Sequence, residues 1–180
     1  MSQLKRYNGT DWETVGGSIA PKTTTTTSDT DTYSCNYVNE KTDKNIISIY
    51  LSQNTDVLHN GKVPFDLSNS IGNRLTVNNN GIKIGSGVTQ IKVSFNLAVR
   101  YTATTNKVYG MALQINGSDP STAAQMLEAR CQKSISEPIT ACSGEKIMTV
   151  QENDVLTCKI ISGATCPCTP ATFLTVEVVE

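Results

Sequence analysis

The sequence predicts an all-β sandwich of about eight to ten antiparallel strands behind a short aromatic peptide and a linker. Three observations carry this expectation. The stretch IKVSFNLAVRY alternates strictly, with Ile91, Val93, Phe95, Leu97, Val99 and Tyr101 on one face and Lys92, Ser94, Asn96, Ala98 and Arg100 on the other. Alternation with period two over that length belongs to a half-buried antiparallel strand. Turn signals recur at short spacing, among them Asn80-Gly81, Asn116-Gly117 and Glu152-Asn153-Asp154. Finally, Thr, Asn and Ser supply much of the non-apolar composition, which suits strands and turns better than helices.

In chain order, residues 1–20 carry Asn8-Gly9 between Leu4/Tyr7 and Trp12/Val15, the pattern of a small hairpin presenting the chain's single Trp. A hairpin this short is marginal alone in water, so its aromatics want a partner surface, and the segment reads as an attachment peptide. Residues 21–44 include the Thr-, Ser- and Asp-rich run PKTTTTTSDTDTYS, which cannot bury a core and reads as a linker. Residues 45–180 form the folded head. Ile46–Ser52 alternates Ile47, Ile49 and Leu51 against Ile46, Ser48 and Tyr50, and Asp66–Asn73 is turn-rich. Arg74–Val77 and Ile82–Gly85 flank the Asn80-Gly81 turn. In Val108–Gly117 the residues Tyr109, Met111, Leu113 and Ile115 fall in phase, and Asp119–Lys133 is the one stretch with helical character. Glu145–Ile161 reads as strand, tight turn, strand, with Cys158 a small core residue. The closing strand, Thr172–Glu180, sets Leu174, Val176 and Val178 against Phe173, Thr175, Glu177 and Val179.

Composition excludes several function classes. Net charge is −1 with 17% charged residues, so no basic stripe is available to neutralise phosphates and nucleic acid is not expected as a partner. No apolar run approaches a membrane span, and the N-terminal ten residues lack the apolar core of a secretion signal. The expected route is synthesis in a cytoplasm, with exit, if any, by a route other than a signal peptide, such as assembly into a particle. One His, no G-x-S-x-G, no H-E-x-x-H and no phosphate-binding Gly loop leave no catalytic constellation, so no enzyme and no cofactor is expected. Asp29, Asp31, Asp43, Asp66 and Asp154 sit in linker or turns without a legible calcium set, and Asn8 and Asn116 head sequons that read as turns. Six cysteines permit three disulfides, but Cys166-Pro-Cys168 with a distant His59 lacks the usual zinc spacing, so no metal site is expected.

Several segments share a resemblance. Asn80–Val99 is similar to the central turn-and-long-strand pair of the TNF-like and complement-type (C1q-like) globular heads. Tyr109–Gly117 resembles the strand that often ends in Asn-Gly, Glu152–Ile160 the turn followed by Asp-Val-Leu, and TFLTVEVVE the closing strand. Gly61–Asn73 resembles bacterial and phage members. The resemblance covers about three quarters of the chain and implies a jelly roll that forms trimers. It places the closing strand in the inner sheet at the trimer axis, which makes Phe173 and Val179 candidate intersubunit contacts. The small outward residues Ser94, Asn96 and Ala98 would allow close approach of a neighbour. Independently, LKRYNGTDWETVGG resembles the start of many phage virion proteins, which implies a virion anchor at Leu4, Tyr7, Trp12 and Val15. Together these imply a non-enzymatic, homotrimeric virion protein: a head fibre, capsid decoration or tail-associated protein made in a bacterial host. Its partners would be other virion proteins and a host-surface glycan or protein bound by loops such as Asp119–Ala129 and Cys166–Pro170. The alternative is a bacterial surface or spore-coat protein with the same head.

Overall fold

The computed structural model describes residues 44–100, 107–133, 139–161 and 165–179, and the backbone alone at Lys5–Tyr7, Trp12–Thr14 and Lys133. The chain divides into two units, Met1–Glu40 and Lys41–Glu180. In the first, β1 (Lys5–Tyr7) and β2 (Trp12–Thr14) pair antiparallel, with Lys5 opposite Thr14 and Tyr7 opposite Trp12. Leu4, Asn8, Gly9, Val15, Cys35 and the linker up to Asp43 lie outside the described residues, as does Tyr101.

The second unit holds β3 (Ile46–Tyr50), β4 (Thr55–Val57), β5 (Leu67–Ile71), β6 (Leu75–Asn78), β7 (Gly81–Ile84) and β8 (Gln90–Arg100). It continues with β9 (Lys107–Ile115), β10 (Glu128–Lys133), β11 (Ile139–Thr149), β12 (Val155–Ile160), β13 (Cys166–Cys168) and β14 (Phe173–Val178). All pairings are antiparallel. One sheet has the order β10-β9-β12-β7-β6; the other runs β4-β13-β8-β14-β3-β5, with β11 also paired to β8. The apolar faces of the two sheets meet in one core that includes Ile47, Ile49, Phe95, Leu97, Leu113, Leu156 and Leu174, each at most 2% exposed. Burying one such side chain contributes about 1.5–3 kcal/mol.

The alternating faces of the sequence fold as expected. Ile91, Val93, Phe95, Leu97 and Val99 on β8 are buried, and so are Tyr109, Met111 and Leu113 on β9 and Cys158 on β12. On β14, Leu174 and Val176 are buried, while Val178 packs at the rim of the core. The turns also follow chemistry. Asn116 and Gly117 both have positive φ, at 54° and 76°, and Ile115 and Ser118 exchange two backbone hydrogen bonds of 3.0 Å across them. That is the two-residue hairpin geometry that Asn-Gly favours.

Several expectations need correction. The hairpin between β6 and β7 turns on Asn79-Asn80, with φ of 46° and 62°, not on Asn80-Gly81: Asn78 pairs with Gly81. Gly81 serves a different need, since a Cβ there would lie 2.6 Å from both the Leu156 carbonyl oxygen and Thr157 Cγ2. Asp119–Lys133 contains no helix; its second half is strand β10, paired to β9 with Cys131 opposite Tyr109. The turn-rich Asp66–Asn73 contains edge strand β5, exposed throughout and paired to β3. The head has twelve strands among the described residues, more than the eight to ten expected, because short strands such as β4 and β13 add to the larger sheet.

The turn between β13 and β14 is fixed by one buried hydroxyl. Thr172, fully buried, accepts a hydrogen bond from the Ala98 backbone N–H at 3.1 Å through Oγ1, which donates to the Ala98 carbonyl at 3.2 Å. Thr169 N–H donates to the same carbonyl at 2.9 Å. Thr172→Val keeps the volume but leaves the Ala98 N–H without its partner in a dry site. Chemical denaturation should show a loss of about 1–3 kcal/mol with an unchanged denaturant slope.

Candidate assembly interface

The outer face of the larger sheet is built by the residues that alternate with the buried positions along each strand. Three rows cross it. The first runs Leu67, Tyr50, Phe173, Asn96 and Ser143 over β5, β3, β14, β8 and β11. The second runs Asn69, Ser48, Thr175, Ser94 and Glu145. The third runs Ile71, Ile46, Glu177, Lys92 and Ile147. Within the second row, the Ser48 and Thr175 hydroxyls lie 2.7 Å apart in a hydrogen bond. Lys92 pairs with Glu145 at 3.0 Å and Lys44 with Glu177 at 3.6 Å, bridges that are exposed and contribute little alone.

This face brings together most of the residues expected at an interface. Phe173 is half-buried beside Tyr50 and lines a shallow hollow of about 310 Å³ with Ser48, Pro170 and Thr175. Ser94 and Asn96 are half-buried on the same face, and Asn96 Nδ2 donates to the Ala171 carbonyl at 2.7 Å. Val179 follows β14 and is 49% exposed; its N–H donates to the Gln90 carbonyl. Ala98 departs from the group. It is 1% exposed within one chain because the Thr169–Thr172 turn folds over it, so it offers a neighbour no surface. Sequence reasoning missed Tyr50, Leu67, Ile71 and Ile147. The last three are 43%, 55% and 55% exposed, and their register on neighbouring strands is what joins them to Phe173. Exposed large apolar residues at both ends of the face, with Tyr50 and Phe173 and the small uncharged Ser48, Thr175 and Ser94 between them, are unusual for a surface left to water.

The loops differ from expectation in one respect. Cys166, Pro167, Cys168 and Thr169 are buried, with β13 pinned between β4 and β8, so Cys166–Pro170 is not a display loop apart from Pro170. The segment from Gly117 to Met126 is largely exposed. It borders an open cleft of about 610 Å³ whose lining includes Asp119, Met126, Leu127, Glu145, Lys146 and Lys159. Both cations are already engaged. Lys159 Nζ lies 2.5 Å from an Asp119 carboxylate oxygen, and Lys146 Nζ donates to the Ala123 and Met126 carbonyls. The Lys159 and Gln114 hydrogen bonds hold the Asp119 carboxyl below its ordinary range, and those from the Ser52 hydroxyl and N–H do the same for Asp66.

Among the described residues, no group of three or more His, Cys, Asp and Glu side chains is placed to hold a metal ion. No helix among them is long and apolar enough to cross a membrane. Of the residues expected to form an anchor, Leu4 and Val15 lie outside the described residues, and Tyr7 and Trp12 are paired in the backbone register of the β1–β2 ladder.

No family model matches the chain. No curated protein matches it either. Solved structures do. The globular domain of zebrafish complement 1qA superimposes with a TM-score of 0.54 at 11% identity, over 76% of this chain and 98% of that one. The Eiger TNF of S. frugiperda gives 0.56 at 12% identity, over 76% and 92%. Murine APRIL at pH 5.0 gives 0.51 at 14% identity, over 76% and 100%. The fold of the head is that of the TNF-like and C1q-type jelly rolls, and at these identities the likeness concerns the fold alone.

Proposed function

We propose that this chain is a non-enzymatic structural protein of a phage particle, a head fibre, capsid decoration or tail-associated protein. It assembles as a homotrimer, is held to the particle by residues 1–20 and displays the jelly-roll head to a host-surface glycan or protein. The observation that carries the trimer is the outer face of the larger sheet, where Leu67, Tyr50 and Phe173 stand in one row beside a shallow hollow. A cyclic assembly covers such a face in contacts that close on themselves. Phe173 of one copy in the hollow of the next supplies an aromatic anchor at the centre of the contact, where binding energy concentrates. Ser48, Ser94 and Thr175 permit close approach, and the bridged charges of the third row lie at the rim.

The particle reading rests on the N-terminal peptide. Its aromatic pair, Tyr7 opposite Trp12, is presented by strands of three residues each, too short to be stable without a partner surface. Display falls to the Gly117–Met126 segment, since recognition concentrates on loops that a rigid scaffold positions.

The test is incorporation. A chain lacking residues 1–20 should still fold and trimerise, yet be absent from particles that carry the full chain, as read by quantitative mass spectrometry of purified particles. Incorporation undiminished by the deletion overturns the anchor. Recovery of the full chain from a cell surface or spore coat, with none in particles, overturns the virion assignment in favour of a bacterial surface protein.

A further inference from the structure

Strands β10 and β11 lie in different sheets, and each is hydrogen-bonded to one neighbour only among the described residues, β10 to β9 and β11 to β8. They pack against each other along the same side of the sandwich. Leu127 just before β10, and Ala129 and Cys131 on it, turn toward the core; on β11 Cys142 does the same. No backbone ladder joins β10 to β11, so this seam depends on side chains. At one point along it two thiols meet. Cys131 and Cys142 are both half-buried and unbridged, and their side chains lie within hydrogen-bonding reach of each other.

We propose that Cys131 and Cys142 are a disulfide site that clasps the two sheets together at this seam, closed by exchange with a small-molecule disulfide such as oxidised glutathione. In the first step the Cys131 thiolate attacks one sulfur of the reagent, forming a mixed disulfide and releasing one glutathione thiolate. Cys142 then loses its proton and attacks the Cys131 sulfur, and the second glutathione leaves. Two protein thiols become one disulfide, and one oxidised glutathione becomes two reduced ones. The pair is suited to the order of attack. Their mutual hydrogen bond lowers the Cys131 pKa and, with burial, raises that of Cys142, which favours Cys131 as the first thiol to attack and Cys142 as the resolving one.

The other described cysteines are poor competitors. Cys166 and Cys168 are fully buried, with sulfurs 3.7 Å apart on a single short strand, and Cys158 is fully buried in the core. Burial raises the Cys158 thiol pKa, and Cys166 is raised by its hydrogen bond to Cys168 and by burial. None of the three meets a dissolved reagent without unfolding. Selectivity among these five thiols is therefore part of the proposal.

The purified full chain is incubated with excess oxidised glutathione, its free thiols are alkylated under denaturing conditions, and it is digested with trypsin without reduction. The expected product is the peptide Cys131–Lys133 joined to Ser134–Lys146, with Cys158, Cys166 and Cys168 alkylated. The thermal midpoint should rise by roughly 5–10 °C, and dithiothreitol should reverse both changes. Cys131→Ser and Cys142→Ser should each abolish the shift; mapping of the parent chain decides the matter if either variant fails to fold. A bond linking other cysteines, or a glutathione adduct that persists on Cys131 without closing, overturns the proposal. So does a zinc titration in which one ion per chain protects Cys131, Cys142, Cys166 and Cys168 together.

Discussion

Phe173→Asp should convert the assembled protein to monomers. In the single chain Phe173 is only half-buried on the outer face of its sheet, opposite Tyr50 and Asn96, so an aspartate there remains wetted and costs the isolated fold little. In the proposed trimer the same position is dry and central. Each copy would bury a carboxylate without a cation in reach, since its row contains only Leu67, Tyr50, Asn96 and Ser143. An unpaired charge left in a dry contact costs about 3–5 kcal/mol, and three copies carry the penalty at once. Since every 1.4 kcal/mol is a factor of about ten, no trimer should survive at micromolar concentration. Sedimentation velocity should show the monomer, and circular dichroism an unchanged β spectrum. Thr76→Asp, on an exposed position of the other sheet, is the control and should leave the assembly intact. A trimer that persists in Phe173→Asp removes this face from the interface.

The sequence made the core legible because burial in a sheet alternates, and alternation is local. Ile91, Val93, Phe95, Leu97 and Val99 needed no partner to be recognised. The same reasoning failed where pairing decides the outcome. Ala123, Ala124, Gln125, Met126, Leu127, Glu128, Ala129 and Arg130 are good helix formers, yet from Glu128 onward the chain takes six ladder partners on β9 instead. The signal present was the alternation Leu127, Ala129, Cys131, weak because alanine and cysteine are small. β5 was hidden for the opposite reason: Ser68, Asn69 and Ser70 look like a turn, and only an edge strand with both faces in solvent tolerates them. The candidate interface was half legible. Phe173 stood out as a large apolar residue on the wrong face of its strand, but Leu67, Ile71 and Ile147 belong to the same patch only through register. The same holds for Cys131 and Cys142, which are brought together by the meeting of two sheet edges.

Phe95→Ala should be the most destabilising single truncation of the head. Phe95 sits mid-strand on β8, 1% exposed, with Leu174 of β14 on one side and Gly144 of β11 on the other. A Cβ on Gly144 would lie 3.3 Å from Phe95 Cζ and 3.1 Å from Leu127 Cδ1, so the ring and Leu127 close over a glycine on an edge strand. An aromatic opposite a glycine supplies the packing that the glycine lacks. Removing the ring costs its transfer free energy and opens a cavity that Gly144 cannot fill, about 3–5 kcal/mol in all. For a domain of this size that corresponds to a fall of roughly 6–20 °C in the thermal midpoint. The effect differs in kind from that of Phe173→Asp. A core cavity lowers the stability of each subunit, so the midpoint of Phe95→Ala should stay depressed at every protein concentration. The loss in Phe173→Asp belongs to association, which makes the parent midpoint rise with concentration and that of the variant flat. Calorimetry over a hundredfold dilution series separates the two, and a Phe95→Ala midpoint within about 2 °C of the parent would show that the seam between β8 and β11 repacks without its aromatic.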